Sequence, residues 1–379
     1  AVMPPLALGA DWYAWLYKAL VLLVIACPCA LVISTPVSIV SAISAAARNG
    51  VLIKGGAYLE AAGSLRALAF DKTGTLTVGQ PQVTAVIPLN GVAESEILRL
   101  AAVVEQYSEH PLGEAIVAAA RQRGMAPNGS HVEAVKAQVG RGIEARVDGT
   151  PIAIGTRALV LNGTADPSIE ARLNQIEATG QTAVLVRRGE TVVGIIALAD
   201  QLRPNAGAAI EQLHAAGIRE TVMLTGDRRT VAEAIAASVG VDAVKAELLP
   251  DQKVTAVEDL LATPGRVGMV GDGINDAPAL ARATVGIAMG AAGTQTALET
   301  ADIALMSDDL SKLTFTMRLS RSAKRIIAQN IGLSLGIKAV FLALAVIGTA
   351  TLWQAIVADV GASLLVTANG MRLLRQRAE

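Results

Sequence analysis

The sequence predicts an α/β protein: a doubly wound parallel sheet, split by an inserted α+β domain and joined to transmembrane α-helices. Three observations carry this. An apolar run, Leu65–Phe70, ends on Asp71 and passes at once into small and hydroxylated residues. From Gly194 onward strand and helix patterns alternate, and each strand pattern ends on an acidic cluster. Hydrophobic residues make up 52% of the 379-residue chain and charged ones only 17%, too apolar for an ordinary soluble protein of this length.

That length allows two or three domains. The net charge of −1 leaves no basic footprint for nucleic acid. Both cysteines, Cys27 and Cys29, flank Pro28, so no spaced disulfide framework exists and a reducing compartment is expected for the soluble parts. Ala1 is not an initiator Met and no cleavable signal peptide is visible, which predicts a fragment of a longer chain.

Residues 1–10 read as the end of a preceding span and its loop. Residues 11–48 form a transmembrane helix, with Trp12, Tyr13, Trp15 and Tyr17 as an aromatic belt at its start. Pro28 removes a helix donor and frees a carbonyl one turn back, so a kink is expected there, turning the two thiols toward a common cavity. Arg48, Lys54 and Arg66 follow the span and place its end inside. Residues 49–79 are a linker and the first part of the sheet domain. The inserted domain takes 80–192, with strands at 82–87, 183–186 and 192–196, helices at 94–107 and 112–124, and turns at Pro127-Asn128-Gly129 and Asp148-Gly149. The sheet domain resumes over 193–322: helix 204–216, strand 220–224 ending in Thr225-Gly226-Asp227, helix 230–240, and strand 267–270 ending in Gly271-Asp272-Gly273-Ile274-Asn275-Asp276. Transmembrane helices at 323–350 and 351–379 close the chain. Lys324 and Arg325 before the pair and Arg372, Arg375 and Arg377 after it put both ends inside, so the soluble domains face the cytoplasm.

The acidic strand ends, Asp71, Asp227 and the Asp272/Asp276 pair, converge at one lip of such a sheet. One nucleophile with carboxylates to hold Mg2+ makes a phosphoryl-transfer centre. Lys72, Thr73 and Thr75 can hold the transferred oxygens, and Lys253 can neutralise charge developing on them.

On Asp71-Lys72-Thr73-Gly74-Thr75, Thr225-Gly226-Asp227, Gly271-Asp272-Gly273-Ile274-Asn275-Asp276 and Cys27-Pro28-Cys29, the chain resembles the heavy-metal branch of the P-type cation-transporting ATPases, over essentially its whole length. The resemblance implies a haloacid-dehalogenase-like phosphorylation domain in which Asp71 takes the γ-phosphate of ATP as an aspartyl-phosphate. It places Mg2+ on Asp71 and Asp272 with Thr73, makes Asp276 a support of that site, and puts Thr225 and Lys253 on the phosphate. Related soluble phosphatases carry a second Asp, an acid and base, where this chain has Thr73; without it, hydrolysis of the intermediate is expected to be slow. The inserted domain is similar to the family's nucleotide-binding domain, which implies ATP at Glu105, His110, Pro111, Gly140 and Gly142. One departure is Gly155-Thr156, where copper-pumping members usually have Gly-Asn.

Thiolates at Cys27 and Cys29 select soft or borderline ions over Mg2+ or Ca2+. Lys338 and Asp359 each cost roughly 2.5–3.5 kcal/mol at mid-span, so each needs a task or a partner; an ion pair that only joins two helices is the plainer account. A hard carboxylate beside two thiolates suits a divalent borderline ion better than Cu(I). The family's zinc, cadmium and lead pumps carry Lys and Asp-X-Gly in the last spans, as in Lys338 and Asp359-Val360-Gly361. The expected activity is ATP-driven export of Zn2+, Cd2+ or Pb2+, across a bacterial inner membrane by analogy with the family. The rivals are a Cu(I) exporter, a membrane-tethered phosphatase with a structural Cys-Pro-Cys, and a non-catalytic fragment. The family also needs an actuator domain with Thr-Gly-Glu, which this sequence lacks, so an upstream actuator domain and further spans are expected partners and the chain as it stands is not expected to complete a cycle.

Overall fold

A computed structural model describes residues 6, 11–125, 130–138, 140–161, 166–262, 265–272, 276–290 and 299–378. The expected loop at 1–10, the Pro127-Asn128-Gly129 turn and Gly273-Ile274-Asn275 lie outside the described residues, Leu6 excepted.

Among the described residues two sheets form. In chain order the strands are β1 (Val51–Ile53), β2 (Ala67–Asp71), β3 (Thr77–Pro88), β4 (Val132–Gln138), β5 (Gly142–Val147), β6 (Thr150–Gly155), β7 (Thr182–Arg188), β8 (Thr191–Leu202), β9 (Glu220–Leu224), β10 (Ala243–Lys245), β11 (Val267–Gly271), β12 (Val285–Ala288) and β13 (Ile303–Leu305). The first sheet runs β1-β13-β12-β11-β2-β9-β10, parallel throughout except for the antiparallel edge pair β1–β13. β2 is fully buried because both faces are covered. Leu68 and Phe70 pack to one side, against the helices Ala206–Ala215, Arg229–Val239 and Ser311–Ile347, while Ala67 and Ala69 pack to the other, against Pro250–Ala262 and Ala277–Arg282. That is the doubly wound arrangement. From β2 the chain goes outward through β9 and β10, then returns to β11 on the other flank, so the order reverses beside β2 and leaves a crevice at its carboxyl end.

The second sheet, β3-β8-β7-β6-β5-β4, is antiparallel, and the helices Glu94–Glu105 and Pro111–Gln122 pack on one of its faces. Its strands β3 and β8 run past the expected limits at 80 and 192 and carry the chain out of the first sheet and back. Asp200 fastens them: its carboxylate accepts from the Thr77 hydroxyl (2.5 Å) and from the N–H groups of Gly79 and Gln80 (3.0 Å each).

Among the described residues three helical segments are long and apolar enough to cross a membrane. The first breaks as expected: Trp12–Ala26 ends before Cys27-Pro28, and Cys29–Arg48 starts after them. The second differs from expectation. Instead of beginning near 323, one continuous helix runs from Ser311 to Ile347, its first half packed under the first sheet through Leu313, Phe315, Met317 and Leu319. The charged residues of that half hide the continuity: Arg318, Lys324 and Arg325 are exposed, while Arg321 turns in to bond the carbonyls of Gly63 and Ala216. Gly348 in the left-handed region ends this helix, and a Thr351/Gln354 capping box starts Leu352–Met371.

A buried carboxylate joins the two sheet units. Glu177 (2% exposed), on the helix Pro167–Glu177, pairs with Arg157 at 2.5 Å and with Arg228, just beyond β9, at 3.1 Å. Glu177→Ala is expected to destabilise the fold by about 1–3 kcal/mol, since Arg157 loses its buried partner but keeps Glu170 at 2.9 Å. Arg228→Ala, at an exposed partner, should cost about 0–1 kcal/mol. Thermal unfolding in detergent separates the two, and equal losses would contradict this account.

Candidate functional site

Asp71 is the last residue of β2 and sits in the crevice at the sheet's reversal point. It is 5% exposed. The next five residues leave the strand in one tight turn, with Gly74 at φ +72°. A side chain at position 74 would come within 3.3 Å of Asp272 Cβ, so glycine keeps the space above Asp272 open. Asp272 follows β11, the strand beside β2, and Asp276 precedes the helix Ala277–Arg282. The helix Pro250–Ala262 supplies Lys253, whose Nζ donates to Asp71 Oδ1 at 2.6 Å and to Asp276 Oδ1 at 2.7 Å.

The electrostatics follow from that crowding. Burial pushes the Asp71 carboxyl up to about 7, and the Asp276 charge adds to it while Lys253 pulls it back. Burial works against the Lys253 ammonium as well, but Asp71 and Asp276 outweigh it and raise its pKa. The crevice therefore holds more negative charge than Lys253 alone neutralises.

On the other flank the Lys72 side chain points to Asp227, pairing at 2.5 Å, so it orders the loop after β9 instead of standing free for a phosphate. Thr225 is buried, and its hydroxyl accepts from the Asp227 N–H at 3.1 Å, closing the Thr225-Gly226-Asp227 turn. Thr73 is exposed at the mouth, while the Thr75 hydroxyl is buried without a partner.

Among the described residues no three His, Cys, Asp or Glu side chains form a ready metal shell. The crevice nevertheless fits Mg2+. Asp276 Oδ2 is buried and unpartnered, the donors are hard carboxylate oxygens, and an ammonium already bridges two of them as a cation would.

Two residues that the sequence reading passed over hold this loop. Arg203, 8% exposed, donates to the carbonyls of Thr75 (2.8 Å), Gly74 (3.0 Å) and Asp308 (3.1 Å), and Asp200 anchors Thr77. The available signal was Asp200-Gln201-Leu202-Arg203-Pro204 itself: an acid and an arginine at a strand end, just before a helix.

In the second unit, Glu105 ends the helix Glu94–Glu105, and burial pushes its carboxyl up to about 7 against a hydrogen bond from Ser108. His110 caps the next helix: its Nδ1 accepts from the Leu112 N–H at 3.2 Å, with Pro111 at the first helical position. Gly140 (φ +71°) lies in the β4–β5 turn. Gly142 pairs with Gly155 across β5–β6, where a Cβ on Gly142 would meet the Ile154 carbonyl at 2.1 Å. Close strand approach thus explains Gly142 without a ligand.

Between the membrane helices, Lys338 Nζ lies 3.9 Å from Asp359 Oδ1 and donates to the carbonyls of Ile25 (3.1 Å) and Cys27. Those carbonyls are freed by the break at Pro28. Cys27 and Cys29 depart from expectation: they are joined as a disulfide and do not line the cavity beside Lys338 and Asp359. A two-residue spacing across a broken helix brings them within reach, and only the reduced pair can supply thiolates.

A strand-end aspartate thus lies at a switch point with an acidic pair and a lysine around it. The haloacid dehalogenase-like hydrolase model matches residues 65–284, and the chain belongs to that family. It is 49% identical, over 99% of its length, to the "Probable cadmium-transporting ATPase" of Staphylococcus aureus (strain MRSA252), covering 52% of that protein. It is 50% identical, also over 99%, to the "Zinc/cadmium/lead-transporting P-type ATPase" of Escherichia coli (strain K12), covering 50%. A crystal structure of a zinc-transporting PIB-type ATPase in the E2.Pi state matches with a TM-score of 0.80 at 49% identity, over 99% of this chain and 60% of that one. The catalytic domain of the CPx-ATPase CopB-B matches at TM-score 0.56 and 28% identity, over 72% and 96%. The chain spans about half the length of the curated relatives it matches. The expected resemblance to the zinc, cadmium and lead subgroup is borne out by these relatives.

Two outcomes test the site. Between pH 4 and 7 the unfolded chain loses a proton that folded Asp71 keeps, so stability falls across that window and the penalty stays constant above it. Asp71→Asn removes this effect. Its thermal unfolding temperature, without Mg2+ or nucleotide, should match the parent near pH 4 and exceed it above pH 7; a constant difference would reject the reading. Gly142→Ala should unfold the second unit's β5–β6 pair, read as lost protection of those amides from hydrogen exchange.

Proposed function

We propose that the chain is the catalytic and ion-carrying half of an ATP-driven pump for soft divalent cations, Zn2+, Cd2+ or Pb2+, working through an aspartyl-phosphate on Asp71. The observation that carries this reading is the buried Asp71–Lys253–Asp276 bridge, built in one chain with membrane-length helices that hold Lys338 against Asp359. The names of the relatives support the cargo.

In the proposed reaction an Asp71 oxygen attacks the γ-phosphorus of ATP, the bond to the β–γ bridging oxygen breaks, and ADP leaves. Asp71 and Asp272 would hold Mg2+, with Thr73 beside them and Asp276 steadying the site. Bound there, Mg2+ supplies charge neutralisation for the attacking carboxylate and the transferred phosphoryl group. Lys253 adds a fixed positive charge at the attacking atom, and Thr225 orients the phosphoryl oxygens with a hydroxyl whose acceptor side is already used by the Asp227 N–H. Lys72 acts through Asp227. Thr73 offers no carboxyl to activate water, so the intermediate persists. Glu105, His110, Pro111, Gly140 and Gly142 are the proposed adenine side; His110 meets the nucleotide with the ring edge not used in capping. The soluble units face the cytoplasm and the membrane is a bacterial inner membrane. The relatives' other half supplies the actuator domain and remaining spans. Cys27 and Cys29 bind the ion as reduced thiolates, with Asp359 as the third ligand and Lys338 as a built-in counter-charge.

The test is turnover of the acyl-phosphate formed from radiolabelled ATP, in the protein carrying its upstream half, against Zn2+, Cd2+, Pb2+, Cu(I) and Co2+. Asp71→Asn is expected to abolish labelling, and Lys253→Ala to slow it by about 10²–10³-fold. Asp359→Ala should keep ATP binding but lose stimulation by the first three ions. Stimulation by Cu(I) alone would overturn the cargo assignment. Labelling that turns over regardless of metal would favour the phosphatase reading. Full transport by Lys338→Ala would remove the counter-charge role.

A further inference from the structure

Beside the Lys338–Asp359 pair lies a cavity of about 10 Å3, room for about one water-sized species. Apolar side chains form most of its wall; the polar residues on it are Lys338, Asp359 and Ser334. Ser334 is 1% exposed, and its Oγ has no hydrogen-bond partner, not even the carbonyl one turn back in its own helix. A helical serine ordinarily takes that carbonyl when nothing else is in reach. Ser334 precedes Lys338 by four residues, so both side chains lie on one face of the helix, Ser334 one turn nearer the catalytic sheet.

The cargo reading supplies three ligands: two thiolates and the Asp359 carboxylate. Zn2+ is almost always four-coordinate in closed sites. Lys338 cannot be the fourth, because an ammonium has no lone pair. Among the described residues on the cavity wall, Ser334 carries the one neutral side-chain oxygen, and its lone pairs are unused, whereas the Ile25 carbonyl is taken by Lys338.

Resting on that reading of the chain as a divalent-metal pump, we propose that Ser334 Oγ is a further oxygen ligand for the transported ion. It sits on the cytoplasmic side of Asp359 and sets the preference between Zn2+ and softer cations. A hydroxyl oxygen is a harder donor than sulfur, so it favours Zn2+ over Cd2+ and Pb2+.

The experiment measures Zn2+ and Cd2+ binding to the full chain in detergent, under reducing conditions, by equilibrium dialysis, with X-ray absorption counting oxygen and sulfur neighbours. Ser334→Ala is expected to weaken Zn2+ by about 10- to 100-fold, to weaken Cd2+ less, and to remove one oxygen scatterer. Ser334→Cys, close in volume, should put sulfur in its place and turn the preference toward Cd2+; it also decides the matter if the alanine variant does not fold. If both variants keep the parent's affinities and oxygen count while Asp359→Ala loses binding, the Ser334 role is wrong and the pump reading stands. If neither Asp359→Ala nor Cys27→Ser changes binding, the metal-site reading itself has failed, and the Ser334 proposal with it.

Discussion

The crevice at the carboxyl end of β2 is arranged around a lysine ammonium held between two buried carboxylates. Asp71 and Asp276 come from different elements, a strand end and a helix start, and Lys253 comes from a third. No single element could bury any of these charges alone, because an unpaired charge in that environment is costly. Their mutual neutralisation is incomplete, since two carboxylates share one ammonium. Burial, with the Asp276 charge behind it, holds the Asp71 carboxyl up, and the shared negative charge makes the crevice receptive to a further cation. Stability has been traded locally for readiness to bind.

The loop after Asp71 gains its order from the far side of the inserted unit. Arg203 collects three carbonyls from two loops, and Asp200 ties Thr77, Gly79 and Gln80. Both lie where the chain re-enters the first sheet, so the passage between the two units and the geometry of the loop after Asp71 are one structure. The Glu177–Arg228 contact adds a second tie beside the Thr225-Gly226-Asp227 turn. The second unit is thus tied to the first on both flanks of Asp71.

Much of this was legible in the sequence. Apolar strands ending on acids marked β2, β9 and β11, and the alternation with helices gave their parallel order. The break at Pro28 followed from a missing N–H. The sequence did not reveal what each charge faces. Lys72 reads as a phosphate ligand until Asp227 is seen opposite it, and Lys253 reads as a lone helper until it bridges two carboxylates. The short edge strands β1 and β13 and the exposed β4 escaped notice, because three residues carry no period and β4 carries charge on both faces. Gly142 looked like a nucleotide contact, yet its pairing with Gly155 already requires the missing side chain. The cysteine pairing was hidden too, since spacing alone does not fix which way two sulfurs turn.

The unbroken helix from Ser311 to Ile347 makes the soluble and membrane parts a single mechanical piece. Its root is pinned under the first sheet where Ser320 donates to the Leu59 carbonyl and Arg321 to the carbonyls of Gly63 and Ala216. Lys338 stands 18 residues further on. At 1.5 Å per residue that is a rigid arm of roughly 27 Å, and a tilt of about 5° at the root swings its far end by about 2 Å. A displacement of that size exceeds the tolerance of the hydrogen bond from Lys338 to the Ile25 carbonyl. The crevice at the end of β2 and the Lys338–Asp359 pair are thus joined by one helix, and leverage along it needs no relay of side chains.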